Sequence, residues 1–294
     1  MTPPLTMFGM SGPVSTSTAA VASAEEGTLY KDISDYSHTR FDRLNVGSGR
    51  NVLGCFISPD GTKFYTIDSA DRLRQEILST PYDISSHGAS SDYNIAVGAS
   101  NGNDSPTGVH FKPDGLKFWL TDADDYVYEW TMTTAWDIST ASYTRAKSLT
   151  SPYNQLRGPF FKPDGSMFFG LDSYYDYIYS HSMSTNWDIT SMANSYTARS
   201  ARTRDSPISE ATVRGLWFND DGTKVYVVGA GGAKVYQWNL STAYDVSQIN
   251  VAPDDELSIS SVETAPHGIC FSSDGKYMYI GGVTDDGVDQ FTRT

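Results

Sequence analysis

The fold this sequence predicts is all-β: a five-bladed β-propeller whose last blade is closed by an N-terminal strand. Three observations predict it. A turn recurs five times, as Ser58-Pro59-Asp60-Gly61, Lys112-Pro113-Asp114-Gly115, Lys162-Pro163-Asp164-Gly165, Asn219-Asp220-Asp221-Gly222 and Ser272-Ser273-Asp274-Gly275. Its glycines are 54, 50, 57 and 53 residues apart, and another glycine stands seven residues before each of them: Gly54, Gly108, Gly158, Gly215 and Gly268. Each full unit has room for four short strands, which is propeller arithmetic. The last unit is one strand short at Thr294, and the N-terminus holds one strand to spare.

Within a unit, the first strand runs from the leading glycine into the Asp-Gly turn, a hairpin signal between apolar residues. The second is Lys63-Phe64-Tyr65-Thr66-Ile67 and its copies at 117–121 and 224–228; the third is Val127-Tyr128-Glu129-Trp130 and its copies at 178–181 and 235–238. A connection follows, Thr134-Ala135-Trp136-Asp137-Ile138-Ser139, repeated at 80–85, 185–190 and 242–247. A weaker fourth strand begins near Tyr93, Tyr143 or Tyr196. Repeats therefore start near residues 51, 105, 155, 212 and 265. Asp32-Ile33-Ser34 with Tyr36 copies the connection and the start of a fourth strand. Residues 30–46 are thus expected to complete the last blade and remove an open sheet edge, with the propeller spanning 30–294. Residues 1–29 are rich in Ser, Thr, Ala, Pro and Gly and have no period; they read as an arm that docks on a neighbouring subunit.

Composition excludes several function classes. Hydrophobic residues make up 39% and aromatic residues 13% of the chain, too much for a disordered one. The net charge is −14 with no basic cluster, which argues against nucleic acid as a partner. No apolar run suits a membrane span. Residues 1–10 lack the pattern of a secretory signal, so release by another route, such as cell lysis, is expected. Cys55 and Cys270 occupy equivalent strands one register position apart. Strand alternation then points them to opposite faces, and no disulfide is expected.

Strand direction assigns the loops to two faces. The Asp-Gly turns and the Trp-Asp-Ile-Ser connections share a regular face. There Asp83, Asp137, Asp188 and Asp245 are expected to cap turns, and Tyr82, Trp136, Trp187 and Tyr244 to pack, with a sugar-stacking platform as the alternative. The other face carries variable links, where recognition tends to sit. The residues ahead of the leading glycines, Leu53, Thr107, Arg157, Arg214 and His267, are expected at its channel mouth. Arg157, Arg214 and His267, with His110 farther along its strand, are the candidate ligand-binding residues, a cationic pocket for a carboxylate or phosphate; alternatively, Glu210 and Asp205 neutralise the arginines. Asp122, Asp124 and Asp125 are metal candidates, calcium being the cation that clustered carboxylates suit, although turn formation explains them equally. Arg74 and Glu76 replace the aromatic pair of other repeats and point to a first blade whose flank meets water or a partner.

No nucleophile elbow, P-loop, dinucleotide fingerprint or zinc pattern occurs. The inner strands offer Phe56, Phe160, Trp217 and Cys270, with His110 the exception, where a channel metal or opposed catalytic carboxylates would be needed. The expected role is binding without catalysis and without a cofactor, calcium excepted.

The paired motifs, Pro-Asp-Gly-x-Lys-Phe-Tyr and Trp-Asp-Ile-Ser, resemble a propeller repeat family of marine phages and bacteria, over roughly residues 30–294. The Trp-Asp dipeptide falls after the third strand and lacks the Gly-His partner of WD40 repeats. The resemblance implies a propeller of extracellular or virion-associated binding type, often attached to tail or fibre proteins. Together with the absent signal and the arm, it leads to the expectation of a virion protein on a tail or fibre that contacts other virion proteins through residues 1–29 within a symmetric assembly and binds a host surface glycan. Alternatives are a capsid decoration protein and a calcium-dependent hydrolase of lactonase type.

Overall fold

A computed structural model describes residues 32–89, 93–97, 105–149, 151–200, 212–250 and 252–294. The arm at 1–29 and the alternative acids Asp205 and Glu210 lie outside the described residues. Blade I is β2 (Val52–Ile57), β3 (Lys63–Asp68), β4 (Arg72–Ile77) and β5 (Tyr93–Ala96). Blade II is β6 (Pro106–Phe111), β7 (Lys117–Asp122), β8 (Tyr126–Met132) and β9 (Ala141–Ser148). Blade III is β10 (Leu156–Phe161), β11 (Met167–Asp172), β12 (Tyr177–Ser182) and β13 (Thr197–Ser200). Blade IV is β14 (Val213–Phe218), β15 (Lys224–Gly229), β16 (Lys234–Asn239) and β17 (Asp255–Ser258). Blade V is β18 (Pro266–Phe271), β19 (Tyr277–Gly282), β20 (Val288–Arg293) and, completing it, β1 (Tyr36–Asp42). All neighbouring strands are antiparallel, and the inner strands follow one another in a ring, with β18 returning against β2.

The closing strand docks as the repeat pattern requires. Tyr36 pairs with Arg293 and Asp42 with Val288. Ile33 of the spare Asp-Ile-Ser is buried, and its N–H donates to Gln237 Oε1 of blade IV (2.9 Å). Ile138 makes the same contact with Gln75 (3.0 Å) and Ile84 with Gln290 (3.2 Å). Each contact clasps the connection of one blade to the third strand of its neighbour. The N-terminal segment therefore uses the socket that the internal repeats use.

Blades pack face to face, so the first three strands bury both faces. The cysteines form no disulfide, as expected, yet they are close together. They do lie on opposite blade faces, but blades V and I are neighbours, and those faces meet. Cys55 and Cys270 are buried free thiols with their sulfurs 3.5 Å apart, and burial raises the Cys270 thiol far above its usual range.

At the hub, backbone meets backbone. A Cβ on Gly54 would lie 2.9 Å from Gly108 Cα, one on Gly215 2.7 Å from the His267 carbonyl oxygen, and one on Gly268 2.8 Å from Gly54 Cα. No side chain fits there, which is why a glycine leads every inner strand. The ring pinches the central channel into a throat of about 20 Å³, room for roughly one water-sized group.

Candidate functional site

The residues ahead of the leading glycines reach the throat through a repeated β-bulge. In blade I, Val52 pairs with Asp68 and Gly54 with Ile67, leaving Leu53 between them; Thr107, Arg214 and His267 are left over in the same way in blades II, IV and V. A bulge re-aims its extra residue, and all four line the throat. Blade III differs. Arg157 pairs with Leu171 and Phe160 with Phe169, so Gly158 and Pro159 together face Gly170. Arg157 therefore stays in the ladder beside the throat. Its Nε donates to Ser173 Oγ (2.9 Å), whose hydroxyl is 3.0 Å from Gln155 Oε1.

Arg157, Arg214 and His267 form one electrostatic cluster. Burial and the Arg214 charge bring Arg157 down to about 10. Burial also lowers Arg214, with Asp176 opposing. Burial and the two arginines push His267 down to about 3, so it is neutral at pH 7. Among the described residues, no carboxylate lies within ion-pair distance of Arg157 or Arg214. His110 does not join them. It sits three residues beyond Thr107 on β6, past the glycine ring, and opens toward the other face.

That other face holds the larger concavity, a bowl of about 290 Å³ in the mouth formed by the Asp-Gly turns. Its inner surface is aromatic: Phe56, His110, Phe160 and Trp217, with Trp136 on one side and Pro59, Pro113 and Pro163 from the turns at the rim. The rings hold one another. Phe160 meets Trp217 edge-on at 5.4 Å, and His110 meets Phe160 at 5.0 Å. Phe56 lies 5.8 Å from Trp217 and stacks toward Trp136 at 6.3 Å. Two polar atoms within this lining have no partner among the described residues, Trp217 Nε1 and His110 Nδ1. Burial pulls His110 down to about 3, so the ring is neutral at pH 7. Trp217 borders both bowl and throat.

The other singled-out residues are structural in their contacts. The side chains of Asp83, Asp137, Asp188 and Asp245 accept the N–H two residues on, from Ser85, Ser139, Thr190 and Ser247. Tyr82, Trp136, Trp187 and Tyr244 have positive φ and lie over the turn glycines Gly61, Gly115, Gly165 and Gly222; Trp136 alone of the four also lines the bowl. Asp122 Oδ1 accepts the N–H groups of Asp124 and Tyr126, and its Oδ2 accepts the Tyr128 hydroxyl at 2.7 Å. Asp125 Oδ1 accepts Leu156 N–H from blade III (2.8 Å), and burial raises this carboxyl to about 6. Among the described residues, no group of three or more His, Cys, Asp or Glu is placed to hold a metal ion.

The polar pair of blade I is not on a wet flank. Arg74 and Glu76 are buried. Arg74 Nε donates to Asp68 Oδ2 at 2.8 Å, so an ion pair occupies the two positions where blade II has Tyr128 and Asp122. Glu76 accepts from Asn45 Nδ2 (2.9 Å), in the segment after β1, and His87 Nε2 contacts Asp42 Oδ1 at 2.8 Å. Glu76 and His87 thus hold the chain that closes the ring.

No family model matches the chain, and a search of curated proteins finds no significant relative. The site thus rests on its own geometry. Sequence reading placed recognition on the variable face and treated the inner-strand aromatics only as an obstacle to metal binding. The signal for the bowl was present: four of five inner strands carry an aromatic or imidazole ring at equivalent positions near the turns.

Proposed function

We propose that this chain is a non-catalytic binding propeller, a tail- or fibre-associated virion protein of the kind its repeats resemble, and that its bowl holds one saccharide ring of a host surface glycan. The bowl is the observation that carries this reading. Aromatic walls suit the C–H face of a pyranose. A buried donor without a partner, Trp217 Nε1–H, costs about 1–3 kcal/mol until a ligand oxygen satisfies it. Neutral His110 offers a second polar contact that carries no charge to be desolvated. A volume of about 290 Å³ accommodates one saccharide ring with a small substituent.

Saturation-transfer NMR of the full chain with N-acetylglucosamine, N-acetylgalactosamine and methyl glucoside tests the site. Transfer concentrated on one ring face, and lost in Phe160→Leu, supports it; no transfer from any of the three overturns it. The virion role is tested by quantitative mass spectrometry of purified particles. A few to a few dozen copies per particle fit a tail or fibre. A ratio near that of the major capsid protein makes it a decoration protein, and absence from particles contradicts both.

A further inference from the structure

The opposite mouth is a separate matter, independent of the saccharide reading. We propose that the throat is a binding site for a single carboxylate group, held by Arg214 with Arg157 alongside. Two guanidinium groups sit partly buried within reach of each other's charge, and no carboxylate among the described residues pairs with either. Like charges brought together out of water are costly unless an anion joins them. Asp176, the acid whose charge acts on Arg214, already has Oδ1 accepting Val213 N–H at 3.3 Å.

The donors are also in place. Arg214 Nε and His267 Nδ1 are buried without a hydrogen-bond partner among the described residues. Both side chains are the extra residues of bulges, and both line the throat. Arg157 is anchored through Ser173, which fixes one edge of its guanidinium and leaves the terminal nitrogens available. Size selects the ligand: about 20 Å³ takes one end of a carboxylate, not a sugar ring or a whole phosphate. The planar guanidinium fork matches carboxylate geometry. The carboxylate has two possible sources, a small free acid or a chain end.

The test uses the full chain, with acetate as probe, at pH 7 and constant ionic strength set with chloride. Saturable broadening of the acetate methyl resonance is expected. Affinity should fall about tenfold or more in Arg214→Gln, as for loss of a charge-assisted hydrogen bond, and less in Arg214→Lys, which keeps the charge and guards against mere misfolding. Triglycine with a free C-terminus and its amide separate the sources. Binding of acetate alone identifies a small free acid; binding of acetate and the free peptide, but not the amide, admits a chain end. No saturable acetate binding, or equal binding in wild type, Arg214→Gln and Arg157→Gln, overturns the proposal.

Discussion

The two mouths of the channel are built by the same five strands, yet one is an aromatic bowl and the other a cationic throat. The difference comes from where each strand is regular. From the second residue past each glycine β2, β6, β10 and β14 are in register, and equivalent positions place Phe56, His110, Phe160 and Trp217 around one concavity. Before the ring four of the five inner strands are bulged, and the extra residue is free to be anything: Leu53, Thr107, Arg214 or His267. Regular backbone yields a repeated surface, and irregular backbone a singular one. Variable loops are thus not needed for either site.

The hub that separates the mouths tolerates least. Gly215→Ala puts a Cβ 2.7 Å from the His267 carbonyl oxygen. Because that neighbour is backbone, a loss of about 3 kcal/mol is expected in denaturant unfolding; an unchanged midpoint would mean the ring is not close-packed. Next comes the buried Arg74–Asp68 pair. Arg74→Leu strands a carboxylate and should cost about 3 kcal/mol, whereas the double change Arg74→Leu with Asp68→Asn should recover much of that loss. A double variant as unstable as the single one would contradict the pairing.

Acid acts on the buried groups of the fold with opposite signs. His110 has a folded value of about 3 against 6.5 in the unfolded chain. The unfolded state therefore binds the proton first, and stability falls with pH below 6.5 by about 1.4 kcal/mol per unit. Asp125 and Asp289, both raised to about 6 chiefly by burial, act oppositely, since the folded state binds their protons first. The clean reading is the difference between wild type and His110→Phe. It should widen steadily from pH 6 to pH 4 in favour of the variant; parallel curves would place a charged histidine in the bowl. The smallest effect belongs to Trp217→Phe. Removing an unpartnered donor while keeping a ring should leave the free protein as stable or more so, by about 1 kcal/mol, yet weaken saccharide binding.

Much of this fold is legible in the sequence. Five Asp-Gly turns at near-constant spacing give the blades, and Asp32-Ile33-Ser34 with Tyr36 reveals the closing strand by copying the connection of the other repeats; its glutamine socket, Gln237, with Gln75 and Gln290 as counterparts, shows only in the structure. What stayed hidden depends on which blade faces touch. Strand alternation separates Cys55 from Cys270 on paper, but the ring brings their opposite faces together. Arg74 and Glu76 look like surface residues, yet both are buried, Arg74 against Asp68 and Glu76 under Asn45 of the segment after β1. The cationic cluster was read from residues that do converge, Arg157, Arg214 and His267, but His110 lies past the pinch and belongs to the bowl. The shifted bulge in blade III, which keeps Arg157 in the ladder, leaves only a Gly158-Pro159 pair as its trace.

The most direct test of two separate sites is a crossed titration. Acetate and N-acetylglucosamine are each titrated into wild type, Arg214→Gln and Phe160→Leu by ligand-observed NMR. The expected result is that Arg214→Gln loses acetate and keeps the saccharide, while Phe160→Leu does the reverse. Loss of both ligands in either variant would contradict the separation and make the channel a single site.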